Sequence, residues 1–203
     1  MLPAKQSRSQ ETLARILNAA DSLLSSRTFK EISVHELCLF ADVSSSSFYA
    51  RFHSKQDVLL ALFELHSQQA QEDAFLALTE IVAREGSSEE KVRALLGSYL
   101  CFVRRNGAVM VSIFAEPSLV DRYWNLSSKI LKQLEVVLSI LFDSQEAEFL
   151  LRAEFATRVA TASIQRAVGL PSHFGERMGL KDSQMVDELT AMLTPYLLLA
   201  SAK

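Results

Sequence analysis

The sequence predicts an all-α protein of about nine helices, a helix-turn-helix three-helix unit followed by a larger helical bundle. Three observations carry that expectation. Apolar residues recur three and four apart through most of the 203-residue chain, the period of helices with one buried face. Only 6 Gly and 4 Pro interrupt the pattern, which suits long helices and few loops. Capping boxes, a Ser, Thr or Asp followed three residues later by an acid, stand where several periodic runs begin. No alternating strand pattern, internal repeat or low-complexity tract is found.

The first helix is expected over Ser9–Ser25, where Leu13, Ile16, Leu17, Ala20, Leu23 and Leu24 form one stripe. Lys5 and Arg8 precede it, either as a solvated tail or as a basic arm on a nucleic-acid backbone. Residues 27–32 turn the chain. Ser33 and Glu36 then form a capping box, and Leu37, Phe40 and Ala41 give the second helix its apolar face. Asp42 is suited to the turn because Asp tolerates positive φ. Val43 is expected to point inward, and Ser44 to cap the third helix. On that helix Phe48 and Phe52 face the core, while Ser45, Ser46 and Tyr49 share another face. Small hydroxyls and a Tyr on an exposed helix permit close approach to a groove and bonding to phosphates and base edges.

Ser54 and Asp57 open a helix with no breaker before Gly86, about 30 residues on, which contains the polar run HSQQAQED. Gly86-Ser87-Ser88 reads as a linker, and Ser87–Glu90 caps the next helix, which Arg104-Arg105-Asn106-Gly107 is expected to close. A short apolar helix, AVMVSIFAE, would end at Pro117. Ser118–Asp121 and Asp143–Glu146 would cap the next two, the latter reaching about Val168. GLPSHFGERMGLKD reads as a loop. A last helix is expected from about Ser183 to Leu199, with Pro195 kinking or ending it.

Across the helix-turn-helix stretch the sequence resembles the DNA-binding domain of TetR-type transcriptional regulators. Their pattern runs roughly A-G-V-S-x-x-x-hydrophobic-Tyr-x-x-Phe-x-x-Lys, met here by Ala41, Val43, Ser44, Phe48, Tyr49, Phe52 and Lys55. Asp42 replaces the turn glycine, and Cys38 stands where a small Ala is usual. The resemblance covers about the first third of the chain. It implies a DNA-binding domain over residues 1–57 and a ligand-binding and dimerisation domain over 58–203. It also implies that Ser33, Ser47, Tyr49 and Lys55 hold phosphates and that Ser45, Ser46 and Arg51 lie nearest base edges, with Ser44 beside them. Lys55 has a further warrant, since a helix N-terminus already favours an anion. Hydroxyls discriminate bases weakly, so Arg51 or DNA shape is expected to supply much of the specificity.

A regulator of this type must sense something, and pockets form between bundle helices. The candidates for a ligand pocket are the bulky Phe102, Met110, Phe114, Tyr123, Trp124 and Phe155, together with Tyr99 and Arg158, polar residues set in apolar helices. Glu154 and Gln165 are of the same kind. A packed core, and a salt bridge from Arg158 to Glu154, are the structural alternatives. The aromatic content suits a small apolar or aromatic effector. For the last two helices, Ala156, Ala160 and Ala162 permit close approach, and Met185, Val186, Leu189, Met192, Leu193, Tyr196 and Leu197 make an apolar stripe. The stripe docks either on the protein's own core or, as the resemblance implies, in a two-fold four-helix interface of a homodimer reading two half-sites of an operator.

Composition narrows the remaining classes. Net charge is −3, yet residues 1–57 hold seven Lys and Arg against six Asp and Glu, so the positive share lies towards the N-terminus. Two cysteines, Cys38 and Cys101, both in apolar helical settings, give no disulfide framework or thiolate metal site. The four histidines fall in no metal-ligand pattern, and His53 and His66 are expected at the surface. No phosphate loop or nucleophile elbow appears, so neither an enzyme, a metal nor a cofactor is expected. MLPAKQSRSQ lacks the apolar stretch of a signal peptide, and no apolar run matches a bilayer span, which together suggest a cytoplasmic protein without membrane association. The alternative reading is a helical protein–protein interaction module whose DNA-reading face has been lost.

Overall fold

The computed structural model describes residues 4–83, 85–168 and 180–199. Among them, eight α-helices and one 3₁₀ turn follow in the order α1 (Ala4–Leu24), the 3₁₀ turn (Phe29–Glu31), α2 (Val34–Phe40), α3 (Ser45–Tyr49), α4 (Lys55–Ala83), α5 (Ser88–Phe114), α6 (Pro117–Leu141), α7 (Ala147–Val168) and α8 (Asp182–Leu198). No strand occurs among the described residues. The expected loop after Val168, with His173, lies almost wholly outside them, as do the side chains of Lys5 and Arg8.

Eight helices replace nine because α5 does not stop at Gly107. Asn106 is fully buried and donates from Nδ2 to the Phe102 carbonyl, one turn back, at 2.9 Å. A side chain bound inside the helix does not cap it, and a Cβ at Gly107 would meet nothing within 4 Å. Two other expected starts move. Pro117 takes the first position of α6, where its missing N–H costs nothing, so Ser118 lies inside the helix. Helix α7 begins at Ala147, past the expected Asp143–Glu146 box. Pro195 does not end α8, which continues to Leu198.

Three helices end in one motif. After α2, the Val43 amide donates to the Cys38 carbonyl at 2.9 Å and the Asp42 amide to Leu39 at 3.3 Å, with Asp42 at φ 51°. After α4, Gly86 donates to Ile81 and Glu85 to Val82, with Glu85 at φ 53°. After α6, Ser144 donates to Ser139 and Asp143 to Ile140, with Asp143 at φ 49°. These are Schellman caps with an acidic residue at the left-handed position that glycine usually fills. At Gly86 the glycine serves close approach, since a Cβ there would lie 2.5 Å from Ile81 Cγ2.

The described chain divides into two units, Met1–Leu65 with Ala108–Tyr123, and His66–Gly107 with Trp124–Lys203. Helices α4, α5 and α6 each contribute to both. The first unit has a core of Ile16, Ile32, Leu37, Phe48, Leu59, Phe63, Met110, Ile113 and Tyr123, all buried. Arg122 Nη1 donates to Asp57 Oδ1 at 2.7 Å, and Asp57 Oδ2 accepts from the Ser54 amide and hydroxyl. Partial burial pushes the Asp57 carboxyl up, but these bonds from Arg122 and Ser54 outweigh it and hold it below its usual range.

The second unit packs Val103, Phe149, Ala153 and Ile164 at its centre. Most of the expected α8 stripe turns inward: Met185, Val186, Leu189, Leu193 and Leu197 are buried within the single chain. Outside remain Leu151, Phe155 and Met192, at 67, 55 and 51% exposure. Arg93 pairs with Asp187, and Arg104 Nε donates to Asp182 Oδ2 at 3.0 Å, fastening α5 to α8. Both pairs are half exposed and add little stability each. No helix among the described residues is long and apolar enough to cross a membrane.

Candidate nucleic-acid interface and cavity

The helix-turn-helix is built by its caps. Ser33 Oγ accepts from the Glu36 amide at 3.1 Å, while Glu36 Oε2 accepts from the Ser33 amide and hydroxyl at 2.9 Å. Arg27 Nη1 donates to Glu36 Oε1 at 2.8 Å. That bond, with those from Ser33, lowers the Glu36 carboxyl to about 2. Ser44 caps α3, accepting from the Ser47 amide at 3.1 Å, and its hydroxyl also lies 2.9 Å from those of Ser46 and Ser47. Phe48 is fully buried, with Phe52 beneath it at 5.5 Å between ring centres and Tyr49 edge-on at 5.3 Å. Ser44, Ser45 and Ser46 are exposed, Ser47 is half-buried, and Tyr49 is 56% exposed. The structure thus gathers Ser44–Ser47 and Tyr49 on one short helix backed by an apolar floor, while Ser33 stands at the start of α2, the end away from the turn.

The two cations both bond backbone carbonyls of the chain itself. Arg51 Nη1 donates to the Ser47 carbonyl at 2.7 Å, and its Nε and Nη2 donate to the Ser9 carbonyl at 3.3 Å, Nη2 also to the Ser9 hydroxyl at 3.2 Å. The guanidinium therefore ties the C-terminal end of α3 to Ser9 of α1. Lys55 Nζ donates to the carbonyls of Ile32 and Phe29 at 2.7 and 2.9 Å and sits 4.6 Å over the Phe29 ring. These bonds tie the ammonium to carbonyls in and just after the 3₁₀ turn. Phe40 departs from expectation: it is 64% exposed beside Leu39 at 74%, because α2 is only seven residues long and Leu37, Cys38 and Ala41 already fill its inner face. Val43 is half-buried and His53 exposed, whereas His66 is buried.

The second unit holds a cavity of about 1020 Å³ between α4, α5 and α6. Of the expected ligand residues, Tyr99 and Phe102 line it. Met110, Phe114 and Tyr123 belong to the first unit, where Tyr123 packs 4.9 Å from Phe114 and 5.1 Å from Phe63. Trp124 is 48% exposed, and Phe155 is an exposed ring 5.8 Å from Tyr196. Arg158 binds Glu154 on the helix surface at 2.8 Å, away from the cavity. Gln165 donates to the Tyr99 hydroxyl at 2.8 Å. The main walls are ones that sequence reasoning missed: Gln71, Phe75 and Val82 of α4 and Ile130, Leu134 and Val137 of α6. The available signal was the polar run HSQQAQED within an otherwise apolar helix. Among the described residues no group of three His, Cys, Asp or Glu side chains is placed to hold a metal ion. Cys38 is buried and Cys101 exposed, both as free thiols.

Residues 16–62 match the family model for bacterial regulatory proteins of the tetR family, a span that runs from α1 into α4 and includes both helices of the turn. No curated protein sequence matches the chain. Solved structures match it nearly end to end. A TetR-family transcriptional regulator from Streptomyces coelicolor is 18% identical over 94% of this chain and 84% of its own, with a TM-score of 0.67. A transcriptional regulator from Rhodococcus sp. RHA1 is 16% identical over 93 and 96%, also at 0.67. The TetR family repressor AlkX from Dietzia sp. strain DQ12-45-1b, implicated in biodegradation of n-alkanes, is 19% identical over 92 and 95%, at 0.57. Residues 16–62 thus match the tetR-family model, and along its length the chain shares the fold of TetR-family regulators.

Proposed function

We propose that this protein is a cytoplasmic, homodimeric repressor that leaves its DNA operator when a small apolar effector occupies the cavity among α4, α5 and α6. The observation that carries the reading is the exposed face of Ser45, Ser46 and Tyr49 on a helix fixed from behind by Phe48 and capped by Ser44. Small hydroxyls suit close approach to a duplex, and the phosphate contacts position the protein more than they specify sequence. With Arg51 and Lys55 bound internally, the weight of specificity falls on DNA shape and on Ser45, Ser46 and Tyr49. A single helix of five residues binds weakly, which favours two copies on two half-sites. The exposed Leu151, Phe155 and Met192 of α7 and α8 suit the homodimer contact. Effector coupling would pass along α4, whose first turns carry Asp57, Val58 and Leu59 of the first unit and whose later turns wall the cavity.

The test is a titration of the full chain on the DNA flanking its own gene and on random DNA, at two salt concentrations. Specific binding that weakens with salt, and a mass of two chains per site, is expected. No preference for the flanking DNA at either salt overturns the operator reading and favours the alternative of a protein-interaction module, to which the exposed Leu39 and Phe40 would then belong.

A further inference from the structure

The lining of the cavity changes character along its length. On α4 it runs from Ser67 to Ala83, about 24 Å at the rise of an α-helix. Two bonds set the level of the other walls: His66 of α4 meets Asn106 of α5 at one end, and Lys91 of α5 reaches the Leu141 carbonyl of α6 at the other. Towards His66 the lining carries Ser67, Gln68, Gln71 and Glu72 of α4, followed by Gln133 of α6. Past Phe75 on α4 and past Leu134 on α6, Thr79 is the one polar residue in the described lining of those helices, and its hydroxyl is taken by the Phe75 carbonyl at 2.8 Å.

Each end leaves something unmet. Gln71 is half-buried and Gln68 and Gln133 are exposed, and none of the three makes a hydrogen bond among the described residues. A carboxamide both donates and accepts, so these side chains offer both to a molecule in the cavity. At the other end Phe75, Leu76, Val82 and Ile140 line the cavity, yet each is more than half exposed. Large apolar side chains gathered in water mark a surface that something covers. A wholly apolar molecule would cover them but press against Gln71 without a bond, and a wholly polar one would leave them in water.

We infer, resting on the effector reading above, that the effector is an elongated amphiphile lying along α4, with a hydrogen-bonding head at Gln71 and Gln133 and an apolar tail running towards Ala83 and Leu141. The tail takes Phe75, Leu76, Val82 and Ile140 out of water, and the head replaces water on the amides. In the reverse orientation the head would lose its water against Val82, Val137 and Ile140, whose side chains offer no hydrogen bond. The polar end of the molecule therefore lies beside the buried His66–Asn106 pair, where α4 enters the second unit.

The test uses the full chain with decane, 1-decanol, and 1-decanol carrying a photoreactive diazirine at the carbon farthest from its hydroxyl. In equilibrium dialysis decanol is expected to bind about 3- to 10-fold tighter than decane, the range of one neutral hydrogen bond. Gln71→Leu and Gln133→Leu, singly and together, should narrow that gap without weakening decane. Gln69→Leu, outside the lining, should leave the gap intact. Irradiation of the labelled decanol should place adducts, mapped by mass spectrometry, on residues 75–83 and 134–141. Equal binding of decane and decanol, adducts mainly on residues 67–72, or a full gap in the protein carrying both Gln71→Leu and Gln133→Leu overturns the inference while the effector cavity stands. Retention of neither decane nor decanol overturns both. Operator binding is not read in these measurements, so their failure leaves the DNA reading untouched.

Discussion

His66 Nδ1 lies 2.6 Å from Asn106 Oδ1, both side chains buried, linking α4 to α5 inside the second unit. Because Asn106 Nδ2 donates to the Phe102 carbonyl, its oxygen must accept, and the proton of this pair belongs to His66 Nδ1. Asn106→Ala would take this acceptor from that buried N–H. We expect a loss of on the order of 1–3 kcal/mol in urea denaturation. A change near zero would mean that the pair is not formed in solution.

Gly107 is the direct test of α5 continuity. An Ala there meets open space and gains helix propensity, so Gly107→Ala should stabilise by about 1 kcal/mol. If the helix ended at this glycine in a left-handed conformation, the same change would destabilise.

At the end of α4, adjacent residues should respond with opposite signs. Glu85 holds a left-handed backbone that a side chain resists, so Glu85→Gly should gain about 0.5–1 kcal/mol. Gly86→Ala would drive a methyl against the stiff, β-branched Ile81 and should lose about 1–3 kcal/mol. Paired Tm measurements check both, and a loss at Glu85→Gly would refute the cap.

Acid should loosen the helix-turn-helix through Glu36. Its folded carboxyl lies at about 2, below its ordinary 4.5, so its stabilising contribution is complete above about 4.5 and is lost as pH falls from there towards 2. Glu36→Gln should be less stable at pH 6, and its Tm should fall less between pH 5 and 2. Parallel Tm curves for the two proteins would contradict the Arg27–Glu36–Ser33 arrangement.

Arg51→Ala should weaken binding to specific and random DNA equally, because the guanidinium braces α3 against Ser9. Hydrogen exchange at the start of α1 should rise in the same variant. Selective loss on the specific site would return Arg51 to base reading.

How much was legible can be judged residue by residue. The caps at Ser33 and Ser44, the turn at Asp42 and the inward Phe48 are local: a side chain reaching an amide three residues away, a backbone angle, an apolar period. Such features depend on neighbours in the chain, and the sequence alone determined them, with the all-α class. The fate of Arg51, Lys55, His66 and Asn106 depended on partners 23 to 42 residues distant, Ser9, Ile32 and one another. The cavity was equally hidden, since Tyr99 and Phe102 belong to it while Phe114 and Tyr123 pack elsewhere, although all are aromatic rings on apolar helices. Only the tertiary structure could decide these, because periodicity says that a side chain leaves water but not which distant group it meets there.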